Sequence, residues 1–256
     1  MLRPRIFPTL LLSGQGLVKG VKFKDYKYIG DPLNAVKIFN DKKVDELIFL
    51  DISATREGKK ISPDFVSKIA DECFMPFSVG GGIESAGEAR EILSAGAEKV
   101  SINTAAVKNP ALIGEIADTF GRQSVVVSID VKTNWLGRQK VVIASGKKMT
   151  DLNPIEWALE VEKMGAGEIL LNSVDRDGTM SGYDLKLIRS VVDAVHIPVI
   201  ACGGAGCLKD LSDGIHAGGA QAVSAGSFFV FHGRRRGVLI NFPSEKECLE
   251  IHRKIK

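Results

Sequence analysis

The chain repeats itself at a fixed interval. DELIFLDISATREG from Asp45 is matched by GEILLNSVDRDGT from Gly167, PFSVGGGI from Pro76 by PVIACGGAG from Pro198, and AEKVSINTA from Ala97 by AQAVSAGSF from Ala220. The offset holds at 122 to 123 residues, as from Pro76 to Pro198 and from Ala97 to Ala220. Register kept across three separate segments marks a duplicated array of supersecondary units, roughly 1–120 and 121–240. The same logic pairs the first apolar run, IFPTLL, with VVVSID, here 119 residues apart from Leu11 to Asp130, and sets those two residues against each other.

Short aliphatic runs alternate with amphipathic windows throughout. IFPTLLL, ELIFLDI, PFSVGG, KVSIN, VVVSID, EILLNSV, PVIACGG and AVSAG read as buried strands. PDFVSKIADEC, AREILSAG, NPIEWALEVEKMG and DLKLIRSVVDAV carry apolar residues at helical spacing. Eight such units in 256 residues predict a single-domain (β/α)8 barrel of the TIM type, residues 1–256, built from two similar half-barrels. A doubly wound sheet is the competitor, but no GxGxxG follows the first strand. The segment Val131–Asp151 exceeds an ordinary βα loop and predicts a small hairpin over the barrel top.

Charge and cysteine usage narrow the partners. Lys and Arg number 34 against 31 Asp and Glu, without a long basic tract, so nucleic acid is not an expected ligand. Cys73, Cys202, Cys207 and Cys248 form no CxxC pair and no zinc-ligand spacing, which predicts reduced, structural thiols and neither metal nor organic cofactor. The start, MLRPRIFPTLLL, has strand length and no small-residue cleavage site, and no run reaches about 20 apolar residues. A cytoplasmic protein with no membrane association is expected.

In such barrels chemistry gathers where strands end. Gly80-Gly81-Gly82 and Ser101-Ile102-Asn103-Thr104 follow strands three and four, and Gly203-Gly204 and Ala225-Gly226-Ser227 follow strands seven and eight. One glycine pair is ordinary turn chemistry. Two symmetry-related sets of bare N–H groups predict a ligand with a phosphate at each end. Asp51, Asp130, Asp175 and Asp177 end strands two, five and six, where a carboxylate can move protons or simply hold a loop. Gly178 and Thr179 beside Asp177, and Ser145 in the long excursion, are placed with the ligand-facing residues. Arg234-Arg235-Arg236 after strand eight reads as a solvated turn that could also reach a diphosphate.

At the opposite end, Arg5, Glu46, Lys99 and Glu168 stand at the starts of strands one, two, four and six. Two cations and two anions around one mouth can pair into a ring across it. Such a ring is costly unless it serves a purpose such as a gate.

The motifs LVKG, DELIFLDI, PFSVGGGI, KVSINTAAV, GAGEILLNSVDRDGT, SGYD and GGAG, in this order, resemble those of the HisF family, the cyclase subunit of imidazole glycerol phosphate synthase. The resemblance covers almost the whole chain. It implies a HisH-like glutaminase subunit docked at the N-terminal barrel face and ammonia passing along the barrel axis, with Arg5, Glu46, Lys99 and Glu168 as its gate. It further implies a phosphoribulosyl-formimino ribotide held by two phosphates, proton transfer by Asp130, and substrate contact by Lys19; Asp177 joins them as a catalytic candidate.

One departure matters. Where the family motif at strand one reads cysteine-leucine-aspartate, this chain has Thr9-Leu10-Leu11. A leucine transfers no proton, and losing a positioned acid or base costs about 10²- to 10⁴-fold in rate. The first loop and the tail FFVFHGRRRGVLINFPS resemble a family branch found with surface-polysaccharide and lipopolysaccharide genes, implying amidination or amidation of a nucleotide-linked N-acetyl sugar. The alternatives are the cyclase of histidine biosynthesis and a non-catalytic barrel that binds a phosphorylated ligand and activates its glutaminase.

Overall fold

A computed structural model describes residues 3–233 and 235–255; Arg234, the first of the three arginines read as a turn, lies outside them. Eight parallel strands close into a barrel: β1 Arg5–Ser13, β2 Leu47–Asp51, β3 Phe77–Gly80, β4 Lys99–Ile102, β5 Val125–Thr133, β6 Glu168–Ser173, β7 Val199–Cys202 and β8 Ala222–Ala225. Each strand pairs with the next, and β8 returns to β1. Around them stand α1 Pro32–Asp41, α2 Pro63–Glu72, α3 Ala86–Ser94, α4 Ala111–Phe120, α5 Pro154–Lys163, α6 Leu185–Val192, α7 Leu208–His216 and α8 Glu245–His252. This is a (β/α)8 barrel. No described helix is long and apolar enough to cross a membrane.

Strand alternation sets what faces the axis. Along β1, Ile6, Leu10 and Leu12 join the large core between strands and helices. Phe7, on the other face, packs with Ile48, Val126, Leu170, Ile200 and Ala222 in a separate cluster inside the barrel. Because the side-chain period is two, Arg5, Thr9 and Leu11 share the inner face with Phe7. β1 also tolerates a proline. Arg5–Pro8 pair with β8 and Thr9–Leu12 with β2, so the missing N–H falls where the register passes from one neighbour to the other.

Helix starts are written into the loops before them. Asp31, Ser62, Ser85, Asn153 and Asp184 each accept a backbone N–H of the first turn, and a proline follows Asp31, Ser62 and Asn153.

Two excursions leave the top of the barrel. Gly16–Val21 pairs antiparallel with the end of β1 and with Lys24–Gly30, forming a hairpin over the mouth. The sequence KFKDYKYIG alternates in the manner of such a strand, a signal the eight-unit reading passed over. The predicted hairpin after β5 also forms: Gln139–Ile143 pairs with β5 and with Lys148–Met149.

Candidate active site

The ends of β1 to β8 surround a cleft of ≈ 1000 Å³, counted to its open mouth. Its place, at the carboxyl ends of parallel strands, is where barrels of this kind hold a small ligand. Asp130 is its chemical centre. The side chain is almost fully buried, Asn103 Nδ2 donates to Oδ2 at 3.0 Å, and Asn172 Nδ2 donates to Oδ1 at 3.2 Å. Burial pushes the carboxyl up to about 7, the charge of Asp177 adds to the rise, and the two amide donors hold it back. A group half-ionised near neutrality can both take and return a proton.

Lys19, on the hairpin, donates to both carboxylate oxygens of Asp177 at 2.8 and 2.9 Å, and both residues are buried. The backbone follows the same path: Lys22 N–H donates to Asp177 O at 2.8 Å, and a Cβ on Gly178 would meet Gly20 O at 2.2 Å. The hairpin therefore lies closed against the turn after β6. Phe23 and Tyr26 extend from it into the cleft. The Tyr26 phenol is raised to about 12, by burial first and then by the charges of Asp177 and Asp130.

Leu11 lines the same cleft as Asp130 and is buried. It pairs with Leu50 of β2 on one side and Val18 of the hairpin on the other. The strand-one end thus presents hydrocarbon to a cleft that holds Lys19, Asp130 and Asp177.

The glycine-bearing loops divide. Gly81, Gly82, Asn103, Thr104 and Gly226 line the cleft. Gly82, at φ 68, approaches so closely that a Cβ would lie 2.0 Å from Lys59 O. Gly178, Thr179, Gly203, Gly204 and Ser227 are not part of that lining. The turns after β6 and β7 pack on one another, with Gly182 N–H donating to Gly204 O at 2.9 Å, and Thr179 Oγ1 donates to Arg176 O. Ser227 Oγ is buried with no hydrogen-bond partner. Asp51 lines the cleft while Oδ1 accepts from Ser53 N, Ser53 Oγ and Ala54 N, a turn-holding role. Asp175 braces the end of β5 through Thr133 N–H at 2.8 Å. Ser145 Oγ donates to Ile52 O, tying the second excursion to the turn after β2. Arg236 donates to Gly178 O, and Arg235 is exposed.

Asn172 was missed from sequence. It sits beside Asp130 in the β5–β6 register, and its polar amide interrupting the apolar run EILLNSV was the available signal. Its Oδ1 has no partner in the described structure.

At the amino ends of the strands four charges form a closed ring. Arg5 donates to Glu46 and, at 2.7 Å, to Glu168; Lys99 reaches Glu46 at 3.0 Å and Glu168 at 3.1 Å. Glu46 is 2% exposed and also accepts from Ser78 Oγ. Each cation touches both anions, the alternating arrangement expected of the four residues. Above the ring lie Phe7 and the inner apolar layer, then Thr9, whose Oγ1 is 2.5 Å from Ser224 Oγ, and then the cleft.

Residues 5–235 match the model of a family described as "Histidine biosynthesis protein". Among the similar proteins, "Putative imidazole glycerol phosphate synthase subunit hisF2" of Pseudomonas aeruginosa is 51% identical over 243 residues, 95% of this chain and 97% of the relative. A HisF of the same description from Leptospira interrogans is 49% identical over 97% of this chain and 99% of its own. "Imidazole glycerol phosphate synthase subunit HisF" of Alkaliphilus metalliredigens is 46% identical over 91% of this chain and 92% of its own. Extended identity at that level, on a barrel with this topology, places the chain in the histidine biosynthesis protein family as a HisF-like member.

Proposed function

We propose that this chain is the synthase subunit of a glutamine-dependent enzyme, and that it uses ammonia to amidinate or amidate a nucleotide-linked N-acetyl sugar in the synthesis of a surface polysaccharide. The reading rests on one observation: the cleft pairs a buried Asp130 with Leu11 at the end of β1. Closing an imidazole ring calls for two positioned proton-transfer groups in this family. Replacing an acetamido oxygen by nitrogen, with that oxygen departing as water, can be served by one group. Asp130, raised to about 7, relays two protons in turn: it takes one from the added ammonia and gives it to the oxygen, then repeats the transfer, so that the C–O bond breaks with water leaving and the nitrogen remaining as the amidine.

Ammonia comes from a HisH-like glutaminase docked on the amino-end face. The ring of Arg5, Glu46, Lys99 and Glu168 is its gate, and beyond the apolar layer the hydroxyls of Thr9 and Ser224 lead it toward the cleft. Lys19 and Asp177 serve as catalytic partners that hold the hairpin over the bound substrate. Gly81, Gly82, Asn103, Thr104, Ser145 and Gly226 serve as substrate-contacting residues along the cleft, with Asp51 fixing its turn, and Gly178, Thr179, Gly203, Gly204 and Ser227 support its rim from the turns after β6, β7 and β8.

The test supplies ammonium salt in excess, so that no partner is needed, with isotopic nitrogen as the label. Nitrogen entering a nucleotide-linked N-acetyl sugar supports the reading. Formation of imidazole glycerol phosphate from the ribotide at enzymatic rates overturns it in favour of histidine biosynthesis. Stimulated glutamine hydrolysis with neither product overturns it in favour of a non-catalytic activator.

A further inference from the structure

The cleft around Asp130 lies beside a second cavity of ≈ 630 Å³, counted to its open mouth. The two share Phe23, Tyr26, Ile52, Thr55 and Ser145 as a common wall. Beyond that wall the second cavity adds two cations from different elements: Arg56, from the short helix Ala54–Glu57 after β2, and Lys147, from the excursion after β5. Both are exposed. The nearest carboxylate to Arg56 is its neighbour Glu57, at 3.2 Å in a solvent-facing pair, an interaction of small worth that a phosphate can displace.

The walls are also tight turns. Lys22 and Phe23, with φ of 51 and 61, are the two central residues of the hairpin turn closed by Val21 and Lys24, and Ala144 and Ser145 opposite, with φ of 53 and 55, lie in the turn closed by Ile143 and Lys148. Two hairpin tips, each in the backbone geometry its turn requires, face one another across the cavity. Phe23 is fixed against the second loop, where a Cβ on Gly146 would meet its ring at 2.9 Å. The result is an aromatic wall between an apolar-floored cleft and a pair of cations.

From this juxtaposition we propose that the second cavity binds the nucleoside diphosphate of the substrate, with Arg56 and Lys147 on the phosphates and Phe23 and Tyr26 against the base or ribose. The assignment rests on the proposed sugar-nucleotide reading and specifies how that ligand lies. Its N-acetyl sugar occupies the cleft beside Asp130, and the diphosphate, attached at the carbon next to the acetamido-bearing one, runs outward past the hairpin. Arginine suits a diphosphate through paired N–H donors, lysine through its point charge, and an aromatic face accepts any base with little discrimination.

Binding is measured by calorimetry with UDP, GDP and UDP-N-acetylglucosamine on the intact chain. Arg56→Ala/Lys147→Ala should weaken all the diphosphates that bind by about tenfold or more, while Lys37→Ala/Lys209→Ala, which removes the same charge from helices α1 and α7, should not. Both substituted sites are exposed, and thermal melts check that each variant folds. Equal binding of UDP-N-acetylglucosamine by the wild type and the Arg56/Lys147 variant would overturn the subsite and leave the proposed substrate standing. No diphosphate bound by the wild type, with the ribotide turned over instead, would overturn both, and the ribotide assay tells that case apart.

Discussion

Lys19→Met tests how the hairpin is held over the cleft. The Lys19 ammonium lies 2.8 Å from Asp177 Oδ1, with both side chains buried. At that distance, and an effective dielectric of about 20, the attraction is about 6 kcal/mol. Desolvating each ion costs several kcal/mol, so the intact pair contributes little net stability. Removing one partner is different, because Asp177 is left buried and unpaired at a cost of about 3–5 kcal/mol. Lys19 belongs to a hairpin joined to the barrel chiefly along its edge, so the cost is met locally: the hairpin opens and water reaches Asp177. Amides of Gly16–Val21 and Lys24–Gly30 should therefore exchange about 10²- to 10³-fold faster, with the barrel strands unchanged. The double variant Lys19→Met/Asp177→Asn removes both charges and should recover most of the protection. Unchanged exchange in Lys19→Met, or additive losses in the double variant, would refute the reasoning.

Leu11→Asp restores a carboxyl opposite Asp130 and should create or raise cyclase turnover of the ribotide by about 10²-fold or more; no gain at all, read by product formation, would count against Leu11 as the missing group. Glu46→Gln leaves Arg5 and Lys99 facing one anion and should cost about 3 kcal/mol, a drop in Tm of about 6–12 °C for a chain of this size, whereas Glu72→Gln, which breaks the exposed pair with Lys37, should move Tm by less than about 2 °C. Asp130 gives a pH signature. Its carboxyl is held at about 7 against an ordinary value of 3.8, so the folded state keeps a proton that the unfolded state has lost, and stability falls by about 4 kcal/mol between pH 4 and 7 and then levels. Asp130→Asn should flatten that fall in denaturant titrations at several pH values; a slope retained in the variant would assign it to another group.

The barrel was legible because a (β/α)8 fold is a local pattern repeated. Each unit carries its own apolar strand and its own cap, such as Ser62-Pro63 or Asn153-Pro154, and duplication confirms the period. The charged ring was legible for the same reason: four strand starts of known register must converge. What stayed hidden depends on chain reaching over chain. The hairpin Gly16–Gly30 reads as loop because its second strand is almost wholly exposed and lies outside the repeat of eight units, and only its closure reveals that Lys19 meets Asp177. The second phosphate loop shows the converse. Gly203 and Gly204 have the composition of an open anion cradle, yet the turns after β6 and β7 stack and cover them.

The inner face of β1 condenses the case. Arg5, Phe7, Thr9 and Leu11 rise along it in turn, from ring to apolar layer to hydroxyl to cleft. The first three steps suit a small neutral molecule: charges that must part at the entrance, a layer that repels ions, and hydroxyls that accept a hydrogen bond. Only the fourth step concerns what is done with that molecule. A buried ring of this kind costs more than apolar residues in its place, which argues for a role at the entrance. On the proposed reading, a charged ring below and a leucine above suit a barrel that receives ammonia and presents it to an acceptor other than the ribotide. Glu46→Gln separates these roles: it should alter the yield of product from glutamine relative to the yield from ammonium salt, and an unchanged ratio of the two would detach the ring from ammonia transfer.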